Sequence, residues 1–341
     1  MRPLGSLTDI QKLLSRKLIG QPAAIAAIVP YVEMYRSELS PEGRPAGVFL
    51  LLGPTGTGKT KTVEALAEVL HGSSKKLLRI DCGEFQMEHE VAKLIGAPPG
   101  YLGHRETQPV LTQQKLNGAS SESCDLAIVL FDEIEKASPA LTRILLGVLD
   151  KGSLRLGDNT SVNFEKTMVF FTSNLGAQEM GKHLRPDFGF ESLMAREGSD
   201  HLSKLEAIGM NAVRKNFPPE FVNRIDAVVT YTPLGSREMA AILDRLITEL
   251  QEHIDKRLRE RAFRIEVRPR ARRFLVEHGT SAEYGARELK RTVERELIQP
   301  LASLVAGGEV RARAHITVDL AAKRDKLVLR CGDKEDLAQA C

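Results

Sequence analysis

Apolar and β-branched residues run without interruption at 48–52 (Val-Phe-Leu-Leu-Leu), 126–131 (Leu-Ala-Ile-Val-Leu-Phe) and 167–172 (Thr-Met-Val-Phe-Phe-Thr), and shorter strand-like runs fall at 76–81 and 227–232. Stretches of helical spacing separate them. Continuously apolar strands suit a sheet buried on both faces, and their alternation with helices predicts a parallel one. Such a sheet takes its ligand outside the carboxyl ends of its strands. From about residue 233 the periodicity changes. Met239, Ile242, Leu243, Leu246, Ile247, Leu250, Ile254 and Leu258 recur at helical spacing and predict one long amphipathic helix. Residues 274–276 begin another helix and 287–305 a third, while 311–318 and 326–330 alternate like short strands. The pattern is that of an α/β domain over 1–234, its five-stranded parallel sheet covered by helices. A smaller, mainly helical domain follows over 235–341, with a short C-terminal β element.

Ahead of the first strand, Leu7, Ile10, Leu13 and Leu14 scatter at helical spacing. Leu18-Ile19-Gly20-Gln21 then leads into a helix entered through Pro22, which runs to about residue 38. The prolines and glycines of 40–47 carry the chain into the strand.

That strand flows into Gly53-Pro54-Thr55-Gly56-Thr57-Gly58-Lys59-Thr60 and a helical stretch over 59–70, the order of a P-loop. Gly53, Gly56 and Gly58 let consecutive N–H groups turn inward, and the helix N-terminus adds its positive dipole end. Lys59 is placed to reach the β and γ phosphates of a nucleotide, and the Thr60 hydroxyl to hold Mg²⁺. Pro54, Thr55, Thr57 and Thr62 complete the candidate nucleotide-binding set. The strand at 126–131 ends in Asp132-Glu133. Alone, such a pair could be a helix N-terminal charge effect. Beside a P-loop, Asp132 suits an outer contact to Mg²⁺ and Glu133 suits polarising the water that attacks the γ phosphate. Glu135 and Lys136 read as a solvated pair on the next helix. The strand at 167–172 leads to Asn174. This residue suits a hydrogen bond to the attacking water or the γ phosphate if its strand neighbours the acid pair; otherwise it is an ordinary turn or cap asparagine.

Charge and composition narrow the partners. The 48 basic and 45 acidic residues interleave to a net charge of +3, so nucleic acid and membrane surfaces are not expected partners. Cys82, Cys124, Cys331 and Cys341 lie far apart and read as reduced thiols. No apolar run approaches a membrane span and no signal-peptide layout is present, so a cytoplasmic location is expected. His89-Glu90 does not open a zinc helix, because Lys93 stands where the second histidine is needed. The other histidines are scattered, and no structural metal is expected.

Several further motifs follow in a fixed order: Arg-Ile-Asp-Cys-Gly-Glu-Phe at 79–85, Gly-Ala-Pro-Pro-Gly-Tyr-Leu-Gly at 96–103, Phe-Pro-Pro-Glu-Phe-Val-Asn-Arg-Ile-Asp at 217–226 and Tyr-Gly-Ala-Arg-Glu-Leu at 284–289. With the P-loop, acid pair and Asn174, they make nearly the whole chain resemble an AAA+ ATPase of the Clp unfoldase family, above all the second ATPase module of its disaggregases. The resemblance implies an AAA+ large domain followed by a lid, and an ATP hydrolase using ATP and Mg²⁺ at the subunit interfaces of a homo-oligomeric, hexameric ring. It implies that Arg224 is the arginine finger completing a neighbour's site and that Arg287 is the second sensor of the lid. Ile19 and Gly20 are similar to residues lining the family's adenine pocket. Tyr101, with Leu102, matches the pore position that grips unfolded or aggregated polypeptide; an aromatic ring packs on any backbone without demanding a particular hydrogen-bond partner. Without the resemblance the two arginines would be surface residues and Tyr101 a packing contact.

The chain also departs from the family pattern. Thr107-Gln108-Pro109 replaces a usual glycine pair, and 150–163 lacks the usual Gly-Arg-Leu-Thr-Asp-Gly run of the second pore loop. One ATPase module is expected, as a single-ring protein or a piece of a two-ring one. Phe188-Gly189-Phe190 stands near where peptidase-coupled relatives carry a docking tripeptide, although such a loop is more often a local hydrophobic clasp. Three readings follow: a threading unfoldase or disaggregase, the regulatory ATPase of a compartmental protease, and an assembly switch or scaffold that threads nothing. A peptidase or an adaptor is the further partner each of the first two allows.

Overall fold

A computed structural model describes residues 7–96, 109–184, 199–281, 285–321 and 326–332. Its contacts divide the chain into two compact units, Met1–Pro54 with Gly58–Thr232, and Thr55–Thr57 with Pro233–Cys341.

In the first unit the apolar runs become strands β1 (Gly47–Leu52), β2 (Leu78–Asp81), β3 (Ala127–Asp132), the short β4 (Ser153–Arg155) and β5 (Ser161–Asn163), then β6 (Thr167–Ser173) and β7 (Ala227–Thr230). Five of them form one sheet in the order β2-β3-β6-β1-β7, with every neighbouring pair parallel. Every residue of the three central strands β1, β3 and β6 is buried, which is why their sequences carry no polar alternation. The edge strand β2 instead alternates, with Arg79 and Asp81 exposed and Ile80 buried.

Successive side chains of β1 enter opposite layers. Val48, Leu50 and Leu52 join a core with Leu141, Leu145 and Val148 of helix Pro139–Lys151 and with Phe217 and Phe221. Phe49 and Leu51 join one with Ile25, Ile28 and Val32 of helix Pro22–Arg36 and Val63, Leu66 and Leu70 of helix Lys59–His71. Across strands, Phe49 stacks on Phe170 at 5.1 Å and Phe131 on Phe171 at 5.4 Å. Burying each ring contributes roughly 1.5–3 kcal/mol, so these pairs help fix the register. That register sets Asp81 beside Asp132 and Leu52 beside both Ser173 and Thr230, bringing the strand ends level.

The stretch 150–163 holds something the sequence pattern did not predict, the antiparallel β4–β5 hairpin. Each strand has three residues and buries one, Leu154 or Val162, too short a run to register as alternation.

The second unit contains helices Ser236–Leu258 and Pro269–Gly279, then a helical run from Ala286 to Ala306 with a π-helical turn at Glu294–Ile298. The strands are β8 (Arg264–Val267), β9 (His315–Leu320) and β10 (Leu327–Gly332). β8 pairs parallel with β9, and β10 antiparallel with it. β8 was not expected, since its four residues bury only Val267 fully. Met239, Leu243, Leu275, Leu289, Leu297 and Val318 form this unit's core. Among the described residues, no helix is long and apolar enough to cross a membrane.

Candidate active site

The P-loop leaves β1 through backbone conformations that favour glycine, with φ of 140° at Gly53, 75° at Gly56 and 105° at Gly58. Gly53 has a second reason to be glycine. A Cβ there would lie 2.6 Å from the Tyr231 carbonyl oxygen. Tyr231 is fully buried, and its hydroxyl donates to Thr62 Oγ1 at 2.6 Å. Thr62 in turn donates to Gly58 O at 3.0 Å. The Thr62 hydroxyl, expected among the nucleotide-binding groups, is thus engaged by the protein itself. It is occupied inside the fold, one helical turn from the phosphate side, and it braces the loop. Pro54 and Thr57 are buried, and Thr55 is partly so.

Lys59 spans the loop. Its Nζ donates to Gly53 O at 2.5 Å, Pro54 O at 2.9 Å and Asn174 Oδ1 at 2.9 Å. Thr60 Oγ1 lies 3.4 Å from Asp132 Oδ1. The acid strand and the asparagine strand are immediate neighbours, so P-loop, Asp132 and Asn174 share one edge of the sheet.

Asp132 is held from two sides. Oδ1 accepts the Thr172 hydroxyl, and Oδ2 accepts an N–H of Arg79 Nη2 at 2.5 Å. Thr172 Oγ1 also accepts the Glu133 backbone N–H at 3.0 Å, so one hydroxyl on β6 fixes both acids. Glu133 stands at φ 57°, ψ 52°, a left-handed conformation that costs a non-glycine residue about 1–3 kcal/mol and tends to cluster at functional sites. Its carboxylate pairs with Lys136. Glu135 and Lys136 do not form the expected solvated pair on a helix. A 3₁₀ turn, Ile134–Lys136, brings Glu135 over the end of β6, where Oε1 accepts the Asn174 N–H at 3.0 Å. Asn174 is thus positioned through its backbone while its side chain meets Lys59. Arg79, Thr172 and Glu135 were missed from sequence. The available signal for Arg79 was a charge inside the strand run Leu-Arg-Ile-Asp.

Oxygen donors from a hydroxyl and a carboxylate at this spacing fit Mg²⁺, a hard cation commonly held by one or two protein ligands plus phosphates and water. Among the described residues no group of three or more His, Cys, Asp or Glu side chains is arranged to hold a metal. Cys82 is buried at the end of β2. Burial foremost, then the charges of Asp132, Asp81, Glu135 and Glu133, raise its pKa, so the thiol stays protonated and outside nucleophilic chemistry.

The Ile19-Gly20 turn reaches the same edge. Gly20 has φ 78°, and the neighbouring Gln21 side-chain amide donates to Thr232 O at 2.9 Å, just past β7. Arg224 lies at the opposite edge, ahead of β7. Two residues on, Asp226 exchanges bonds with the start of β1: its N–H donates to Val48 O at 2.9 Å, and its Oδ2 accepts the Val48 N–H at 2.8 Å. A strand the length of β1 spans about 20 Å, and Arg224 lies by the end of it away from the P-loop. Its Nε donates to Asp150 Oδ1 at 2.7 Å. In the second unit Arg287 is exposed in the first turn of helix Ala286–Val293. Tyr101, Leu102 and the 188–190 tripeptide fall outside the described residues.

The family model for the AAA domain (Cdc48 subfamily) matches residues 44–228, more than half of the chain. The chain belongs to the AAA+ ATPases. A second model, the C-terminal D2-small domain of ClpB protein, matches 234–318, so this AAA+ chain carries both parts of a ClpB-type second ATPase module. Among its relatives, chaperone protein ClpB of Meiothermus ruber is 36% identical over 312 residues, covering 92% of this chain and 34% of that protein. Heat shock protein 104 of Schizosaccharomyces pombe is 35% identical over 314 residues, covering 92% and 33%. Among solved structures, the Saccharomyces cerevisiae Hsp104:casein complex in its extended conformation has a TM-score of 0.81 at 28% identity, covering 96% of this chain and 52% of that one. A closed-state Hsp104 with ATPγS and FITC casein has a TM-score of 0.78 at 28% identity, covering 95% and 51%. The chain spans about a third of the length of these curated relatives and about half of the solved chains.

Proposed function

We propose that this AAA+ chain is the ATP-hydrolysing module of a cytoplasmic protein unfoldase or disaggregase. Its copies form a hexameric ring that splits ATP between neighbours and draws polypeptide through the centre. The observation that carries this reading is the separation within one protomer. The phosphate cradle lies at the carboxyl edge of the sheet, while Arg224 is held at the amino edge by Asp150. An arginine at the far end of the strand from its own cradle can serve a second copy's cradle.

In this reading Lys59 leaves the Gly53 and Pro54 carbonyls to neutralise the β and γ phosphates, and Asn174 orients the attacking water. Glu133 takes the proton of that water. Thr60 and Asp132 would hold Mg²⁺, which would supply charge neutralisation on the phosphate oxygens. Ile19 and Gly20 border the adenine, Arg287 senses the γ phosphate, and Arg224 stabilises charge on the phosphoryl group in the neighbour. Tyr101 and Leu102 grip the polypeptide. The casein named for both Hsp104 structures supports a polypeptide substrate.

The test combines oligomeric mass, ATP turnover against protein concentration, and two variants. Turnover should rise with assembly, and Arg224→Ala should lower kcat about 10³-fold with ATP binding retained. Tyr101→Ala should keep hydrolysis and lose recovery of an aggregated substrate. A monomer that hydrolyses ATP at full rate without Arg224 overturns the shared site; substrate recovery undiminished in Tyr101→Ala overturns threading.

A further inference from the structure

We propose that Asp150 is a positioning residue that aims Arg224 at the active site of the neighbouring copy. This rests on the trans reading of Arg224 given above. Asp150 lies in the last turn of helix Pro139–Lys151, where the helix dipole disfavours an acid, so its place there is not explained by the helix. Its carboxylate accepts Arg224 Nε at 2.7 Å. Both partners stand on anchored backbone. The helix ends at Gly152, whose N–H bonds Val148 O at 3.0 Å and whose carbonyl accepts the Phe164 N–H at 2.7 Å. Gly152 also sits against Arg44, with only 3.2 Å between an added Cβ and the Arg44 Cα. On the other side, Phe221 is fully buried and Asp226 is bonded to β1 on either side of Arg224. The side-chain torsions of Arg224 are the remaining freedom, and Asp150 removes part of it.

The pair is 39% and 49% exposed at its side chains, so it contributes little to folding stability. Its effect falls on geometry. Misplacing a reacting group by about 1 Å can cost about 10²-fold in rate, and releasing the Arg224 side chain while its backbone stays anchored should cost roughly tenfold.

Mixed assemblies test this. A Glu133→Gln copy has a crippled site but offers an intact Arg224, and an Arg224→Ala copy has the converse, so mixing the two should restore turnover. Adding Asp150→Ala to the Glu133→Gln copy should cut that restored kcat about tenfold with the KM for ATP unchanged, and Asp150→Asn should cut it less. Adding Asp150→Ala to the Arg224→Ala copy instead should leave turnover as it was. Restoration that is undiminished in the first arrangement, or equally diminished in both, overturns the role of Asp150. No restoration in the parent mixture overturns the trans site itself. Mass measurement of each mixture confirms that assembly is unchanged.

Discussion

At the carboxyl edge of the sheet, polar groups are turned inward on one another; at the amino edge, they lock the strand starts together and leave one arginine at the surface. Lys59 meets two carbonyls and Asn174, and Thr172 holds Asp132 and Glu133 together. Glu133 and three P-loop glycines have positive φ. At the amino edge Asp226 accepts both Arg44, at 2.6 Å, and the Val48 N–H of β1, and Arg224 rests on Asp150. The first edge holds a preorganised polar cluster in which charges act without much reorganisation. Among the described residues, the second edge has no glycine loop of this kind. On the proposed trans reading, a single protomer presents two halves of a reaction centre to different neighbours.

The sharpest way to break this contrast is at the strained acid. Glu133→Gln should lower ATP turnover about 10³-fold, read in a coupled phosphate assay, while nucleotide binding persists, because the loss of a general base removes roughly 10²–10⁴ in rate. Turnover within a fewfold of the parent would place the general base elsewhere along the carboxyl edge. At the amino edge the corresponding change should affect folding before chemistry. Asp226→Ala leaves the Val48 N–H and Arg44 without their carboxylate and should cost about 2 kcal/mol in urea unfolding. A neutral result would mean that Asp226 does not hold the strand starts.

The smallest effect concerns neither edge and calibrates both. His71, part-buried at the end of helix Lys59–His71, has its pKa lowered by burial first and by Lys76 second. The unfolded chain then takes the proton more readily than the folded one. Folding stability should be fully present above the unfolded pKa, about 6.5, and decline as pH falls below it. His71→Gln should flatten that decline in denaturation midpoints measured between about pH 5 and 8. An unchanged slope would assign the acid sensitivity to other groups.

How much of this was legible beforehand differs between the edges. The P-loop, Asp132, Glu133 and Asn174 each close a run of buried strand, so position along the chain and position in the sheet coincide. Arg79 and Thr172 could not be recognised in the same way. Their importance depends on β2 and β6 flanking β3, a matter of strand order across stretches of tens of residues. Glu135 was misread because a single 3₁₀ turn, not a helix, follows the acids. The bracing of Thr62 was not legible because its buried partner, Tyr231, lies 169 residues away. β8 and the β4–β5 hairpin were too short to give a periodic signal.

The amino-acid sequence alone determined the parallel α/β unit, the helical second unit, the glycine loop that cradles phosphate and the acids that follow a strand. Each of these depends on neighbours a few residues apart, through hydrophobic period and backbone freedom. Only the tertiary structure decided that Thr172 joins both acids, that Glu135 holds Asn174, and that Asp150 and Arg224 meet across 74 residues of sequence at the edge away from the cradle. Those contacts come from strand order and from where helices end, and no local pattern encodes the distance between groups that the folded chain brings together.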